Sequence, residues 1–171
     1  KVLPAANQSV VLHAEMEDGA IVSGESKIPF SGKKIKKVFL TPDNIIPLPE
    51  TLQAIRQADM IIIGPGSLYT SILPNLLVPK IGLEVSHKKK KKVYICNLMT
   101  QAGETHGYTA SDHVTAIYDH IGHAMMDIIL VNDVDIPEDI QLRYEEELAK
   151  PVHFDLPKLH ELGLEVVSGE I

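Results

Sequence analysis

The 171-residue chain has a single cysteine, Cys96, so no internal disulfide can form. Cys96 sits in the apolar run Val93-Tyr94-Ile95-Cys96. It reads as a buried core thiol suited to a reducing cytosol rather than as a nucleophile. No apolar stretch approaches the length of a membrane span, and nothing resembles a signal peptide. There is no excess of basic residues: the formal net charge of −7 argues against general nucleic-acid binding. No Gly-Lys-Ser/Thr closes a Walker A loop, and neither G-x-G-x-x-G nor H-E-x-x-H occurs. The histidines at 113, 120 and 123 lack a ligand pair at i, i+4, which argues against a zinc site. No internal repeat or low-complexity linker divides the chain. It opens on Lys1-Val2-Leu3-Pro4 without an initiator methionine, which points to a processed or truncated product. The length suits one domain with a substantial core, and the 44% hydrophobic content is ordinary for a globular protein.

What is present is an α/β rhythm around residues 58–79. Met60 to Ile63 is a continuous apolar run, the pattern of a strand buried on both faces of a parallel sheet. Gly64-Pro65-Gly66 ends it sharply, and Ser67, Tyr69, Thr70 and Ser71 follow where a helix should begin. Loops beyond the carboxyl ends of such strands, with helix N-termini behind them, attract anions. This turn therefore reads either as a phosphate cradle or as an ordinary strand-to-helix connection. A second strand, Val93 to Cys96, runs into the polar loop Asn97 to Thr105. If the two strands are parallel, both loops emerge on one sheet edge and define a cleft.

Around this centre, Ser9 to Glu15 and Ala20 to Ser26 flank Asp18-Gly19, a short hairpin signal. The lysines of Lys33 to Leu40 read as solubilising an exposed strand edge. Pro49 to Ala58 carries Leu52, Ile55 and Ala58 at helical spacing. Residues 81–92 end in five lysines and read as a solvated or mobile loop with residual helix, the alternative being the gathering of an anionic ligand or partner. Ser111-Asp112 opens a helix through Val114, Ile117, Ile121 and Met125, with His113 near enough to its start to face a ligand phosphate. Asp127 to Val131 reads as a strand, Ile136 to Ala149 as a helix, Pro151 to Phe154 as a small strand, and Pro157 to Leu162 as a last helix stopped by Gly163.

Two long stretches carry a family resemblance. They are Gly-Pro-Gly-Ser-Leu-Tyr-Thr-Ser-Ile-Leu-Pro-Asn-Leu-Leu-Val at 64–78 and Tyr-Ile-Cys-Asn-Leu-Met-Thr-Gln-Ala-Gly-Glu-Thr-His-Gly-Tyr-Thr-Ala-Ser-Asp-His at 94–113. With the opening Val-Leu-Pro-Ala-Ala-Asn, Glu17-Asp18-Gly19 and Gly24-Glu25-Ser26, the chain resembles the YvcK-like branch of the CofD superfamily over nearly its whole length. That resemblance implies a Rossmann-like three-layer α/β/α sandwich with a mostly parallel sheet and a small β-hairpin excursion near the N-terminus. It implies a single CofD-like domain over residues 1–171, lacking the family's upstream Gly-Gly-Gly-Thr-Gly nucleotide loop and the basic segment that follows further on. Lys88 to Lys92 replace a stretch that is usually a mixed helix in the family.

Members are called gluconeogenesis factors or morphogenesis factors. They are cytoplasmic bacterial proteins linked to carbon metabolism, cell shape and envelope synthesis. The implied ligand is a nucleotide sugar of the UDP-N-acetylglucosamine (UDP-GlcNAc) type, with no catalytic activity generally assigned. The related CofD enzymes move a phospholactyl group from a guanosine diphosphate donor onto a deazaflavin, with magnesium. Carried over by position, Gly64, Gly66, Ser67, Tyr69, Thr70, Ser71 and Asn75 match the first ligand loop. Asn97, Thr100, Gln101 and Glu104 match the second, with Thr105, Tyr108, Asp112 and His113 behind them. Tyr144 falls where the family carries a tyrosine placed at the nucleotide-sugar site; a helix-surface tyrosine is the alternative. Capping is the alternative for any single Ser or Thr.

Two classes follow: a non-enzymatic metabolite sensor read by a regulatory protein partner, and a CofD-like transferase for which Asp112 and Glu104 would be the magnesium candidates. No compact nucleophile–base pair or carboxylate cluster is evident, which favours the sensor. A dinucleotide oxidoreductase is weaker still, for want of its fingerprint. No cofactor is called for in the sensor reading, and a homo-oligomer is compatible with it.

Overall fold

A computed structural model of the chain describes residues 1–87 and 89–170. Two sheets share one hydrophobic core. The first is antiparallel: β1 (Val11–Met16), β2 (Ile21–Ser23) and β3 (Ile35–Thr41), in the order β2-β1-β3. The Asp18-Gly19 turn forms as expected, with Gly19 at φ 84° and the Ala20 amide bonded to Asp18 Oδ1. The expected hairpin is thus extended by β3, whose Lys36 and Lys37 pair with Glu15 on the solvated face. Leu12, Ala14, Met16 and Val38 are buried, the period-two pattern of a sheet with one face on the core.

The second sheet is parallel and built in chain order: β4 (Ile61–Ile63), β5 (Lys92–Ile95), β6 (Ile128–Asn132) and β7 (Glu165–Gly169). Its connections carry α2 (Leu73–Leu77), α3 (Ile81–His87), α4 (Ala110–Ile121), α5 (Glu138–Glu146) and α6 (Leu156–Glu161), with α1 (Pro49–Gln57) ahead of β4. Right-handed crossovers between successive parallel strands lay helices on the same side. Accordingly α1, α3, α2, α4 and α6 pack one on the next as a layer. Ile63, Tyr94, Ile129 and Val131 face that layer and are buried.

The α/β class, the mostly parallel sheet and the N-terminal excursion stand as expected, but several local readings need correction. Met60 to Ile63 is not a central strand buried on both faces. Among the described residues β4 pairs only with β5, so it is an edge strand, and Ile62 is 58% exposed on the face away from the helices. The Pro151–Phe154 strand reduces to one bridge between Met99 and Pro151, because the chain there is held by loop contacts rather than a ladder. The α4 cap is Thr109, two residues before Ser111: its side chain accepts from the Asp112 amide while Asp112 accepts from the Thr109 amide. That helix ends at Gly122, so Met125 lies beyond it. Residues 81–87 form an ordered helix, while Lys88 falls outside the described residues. β7 had no sequence reading, since its alternation is short and its register partner β6 lies more than thirty residues away. No helix is long and apolar enough to cross a membrane among the described residues.

Candidate functional site

β4 and β5 are parallel, so the two loops that follow them leave the same edge. Gly64 makes the exit: its φ is 86°, and an added Cβ would stand 2.9 Å from the Ile95 carbonyl oxygen. Only glycine fits both the backbone angle and the close approach to β5. The chain then winds through a π turn, Leu68–Ile72, in which the Ser71 and Ile72 amides both bond the Ser67 carbonyl at 2.9 Å. Pro74 has no amide to continue the ladder, which suits the local change of pitch into α2.

The second loop closes onto this turn. Gln101 Nε2 donates to Ser67 Oγ at 2.9 Å. Glu104, only 6% exposed, accepts from the Tyr69 amide at 3.1 Å and from Thr70 Oγ1 at 2.7 Å. A carboxylate of the protein itself therefore occupies the start of the helical turn, where unpaired amides favour an anion. Tyr69 is buried, its hydroxyl 2.7 Å from that of Tyr108, and burial raises its pKa. The rest of the second loop is anchored too: the Thr100 amide donates to Lys150 O, and Thr100 Oγ1 accepts from the Lys150 amide. Gly103 lies so close to Pro29 that an added Cβ would overlap the Pro29 carbonyl, which fastens the loop to the antiparallel sheet's connection.

Several cavities border the junction, and two of them are lined by side chains expected to meet a ligand. A groove of about 700 Å³ runs between the antiparallel sheet and the turn, lined by Thr70, Ser71, Asn75, Gln8, Glu25 and Ser26. A smaller crevice of about 240 Å³ opens over the ends of β5 and β6, where Cys96 and Asn97 meet Asn132, Asp133 and Phe154. Cys96 is buried as expected, and burial pushes its thiol up to about 12. The side-chain oxygens Asn97 Oδ1 and Gln101 Oε1 are buried without a partner, as is the Tyr94 hydroxyl.

The expected site residues thus fall into groups. Gly64, Gly66, Ser67, Tyr69, Thr70 and Ser71 meet Gln101 and Glu104 at the junction, and Asn75 follows on α2, bonded to the Ser71 carbonyl. Asn97 belongs to the crevice, while Thr100 pins the loop. Asp112 is committed to the α4 capping box. His113 is fully buried: Nδ1 donates to Thr109 O at 2.8 Å, Nε2 has no partner, and burial lowers its pKa. Tyr144 lies on α5, 40% exposed and outside the junction.

Sequence reasoning passed over Asp155, which accepts from the Ser111 amide, Ser111 Oγ and Thr109 Oγ1 at the start of α4. His120, which the sequence shows only as a poor zinc ligand, donates from Nδ1 to Ala116 O one turn back and accepts at Nε2 from the Val38 amide. The Asp155 contacts and the Val38 contact carry no spacing signal, because those partners come from distant segments. Asp112 and Glu104 do not fit a magnesium site, since their oxygens serve the two helix starts. No cluster of three His, Cys, Asp or Glu able to hold a metal occurs among the described residues.

A parallel sheet built in chain order, with two polar loops joined at its carboxyl edge and a helix layer on one face, defines an α/β fold of the Rossmann-like kind. The profile of the family described as 2-phospho-L-lactate transferase CofD matches residues 1–171, and the chain belongs to that family. It is 66% identical over 171 residues to a gluconeogenesis factor of Bacillus subtilis (strain 168), spanning 100% of this chain and 54% of that protein. A gluconeogenesis factor of Halalkalibacterium halodurans is 58% identical over 168 residues, covering 98% of this chain and 52% of its own length. A crystal structure of an upf0052-family protein from Bacillus halodurans superposes with a TM-score of 0.97 at 58% identity. It covers 99% of this chain and 55% of that one. The chain thus spans about half the length of these relatives.

Proposed function

We propose that the protein is a regulatory factor of carbon metabolism, cell shape and envelope synthesis that binds a nucleotide sugar of the UDP-GlcNAc type in the cytoplasm. The observation that carries this reading is the junction itself: the Gly64–Ser71 turn and the Asn97–Thr105 loop are locked together beside a groove of about 700 Å³. That volume is in the range of small-molecule sites. The kinship with gluconeogenesis factors supports the metabolic role. Because Glu104 fills the start of the turn, ligand phosphates are assigned to its open side, at Ser71 and Asn75, with the sugar or base reaching along the loops. Ligand binding would then shift the junction, and a protein partner would read the shift.

The second reading is a CofD-like transferase acting on a nucleoside diphosphate donor, favoured by the description of the matched family. Calorimetric titration of UDP-GlcNAc, with GDP as competitor and magnesium-dependent turnover assayed in parallel, separates the two. Saturable UDP-GlcNAc binding lost in a Ser71→Ala/Asn75→Ala variant, with GDP silent, is the expected result. Clear GDP binding with turnover and no heat from UDP-GlcNAc would move the assignment to the transferase.

A further inference from the structure

We propose that the crevice over the carboxyl ends of β5 and β6 is a subsite for the amide-bearing ring of the ligand, read by the Asn97 carboxamide. It deepens the nucleotide-sugar reading and rests on it for the choice of probes. The floor is Cys96-Asn97, the continuation of β5, and one wall is Asn132-Asp133, the continuation of β6. The opposite wall is the 151–154 segment, held to the second loop by the Val152 amide bonding Leu98 O. A rigid frame therefore surrounds about 240 Å³, room for one ring rather than a whole dinucleotide.

The Asn97 Oδ1 is shielded from solvent without a partner among the described residues. Such a group costs stability unless something pairs with it, which makes it a marker for a ligand or an ordered water. Rotation about its last torsion presents either its N–H₂ or its oxygen. A carboxamide pairs in bidentate fashion with a donor and an acceptor side by side, the chemistry by which Asn and Gln read base edges. No lysine or arginine lines the crevice, whereas Asp133 and Asp135 do, so an anionic group is disfavoured there. Phe154 supplies an apolar wall.

Size, charge and the unpaired carboxamide together select an uncharged ring bearing an amide edge. Two parts of a UDP-N-acetyl sugar share that chemistry: the imide edge of the base and the acetamido group of the sugar. The phosphates would point out of the crevice, away from Asp133.

The test measures affinity for UDP-GlcNAc, UDP, UDP-glucose and GDP in the parent, Asn97→Leu and Asn97→Asp proteins. Alongside it, the rate at which a thiol reagent labels Cys96 is followed with and without each probe. Cys96 is the only thiol and lies in the crevice floor, 3% exposed, so labelling proceeds through opening of the crevice, which an occupant there should slow. We expect slower labelling with UDP-GlcNAc, and a loss of roughly tenfold or more in its affinity in Asn97→Leu. Asn97→Asp, which keeps the shape and an acceptor, should lose less and shows that the fold survives substitution. If UDP and UDP-glucose weaken equally, the base occupies the crevice; if only UDP-GlcNAc weakens, the acetamido group does. Binding and protection by GDP alone, lost in Asn97→Leu, would overturn the UDP-sugar reading and keep the crevice. An affinity for UDP-GlcNAc unchanged in Asn97→Leu would overturn the crevice subsite.

Discussion

Glu104 offers the sharpest quantitative test of the junction. Its carboxylate is the shared acceptor of two donors from the opposite loop, the Tyr69 amide and the Thr70 hydroxyl. Glu104→Ala removes that partner from both, from the Tyr69 amide in the interior and from the Thr70 hydroxyl at the edge of the groove. A buried hydrogen bond to a carboxylate contributes roughly 1.5–3 kcal/mol and the part-buried one from Thr70 about 1, so the loss should total about 2.5–4 kcal/mol. For a chain of this size that lowers Tm by roughly 5–16 °C. Glu104→Gln behaves differently. The amide oxygen can still accept from Tyr69, and the Thr70 hydroxyl can rotate to accept from the new N–H₂ group. Its cost should stay under about 1.5 kcal/mol. Urea unfolding followed by circular dichroism measures both, since the chain has no tryptophan. An alanine variant within about 0.5 kcal/mol of the parent would refute the junction as a stabilising contact. A glutamine variant as damaged as alanine would show that negative charge, not the pair of bonds, is what the turn requires.

Other outcomes follow from the same geometry. Gly103→Ala should destabilise by more than about 2 kcal/mol in thermal melts, because its methyl meets the Pro29 carbonyl; Gly19→Ala, left-handed but in open space, should cost only about 1 kcal/mol. Burial tends to raise the Asp155 pKa, but the bonds from Ser111 and Thr109 outweigh it and hold the group below its ordinary value. Its contribution is therefore complete above the unfolded value near pH ~3.9 and lost as pH falls through the folded one; Asp155→Asn should flatten the acid limb of a pH–stability curve. Burial lowers the pKa of His120, whose Nε2 must stay unprotonated to accept the Val38 amide. Stability should decline as pH drops below roughly 6.5 toward the folded pKa, and His120→Ala should lessen that slope while lowering stability at neutral pH.

Periodicity and turn chemistry were enough for most elements: the Asp18-Gly19 hairpin, the apolar runs of β4 to β6, and the α1, α4, α5 and α6 helices. They were enough for the meeting of the two loops as well, because parallel strands force it. What they could not supply was any feature made by residues far apart. A run of Met-Ile-Ile-Ile looks the same at the centre of a sheet as at its edge, and only the pairing partner decides. Glu104 read as a residue for a ligand or metal, whereas its position fits it to the neighbouring helical turn. Asp112 and His113 likewise face inward, as a cap and as core. Asn97 is marked in the sequence only by its place in the second loop; that its side-chain oxygen is left unpaired shows only in the fold.

The β4 edge has a colloidal consequence. Its outer backbone groups are unpaired, and Met60 and Ile62 stand exposed beside them, the profile of a strand that templates another chain. At the amino end of the same sheet, Lys90 and Lys91 are already paired with Asp59 and Glu165, so they put little unbalanced positive charge beside the edge. Self-association through this edge should therefore follow protein concentration and respond only weakly to ionic strength. Dilute solutions are the conditions in which one copy stays apart from the next.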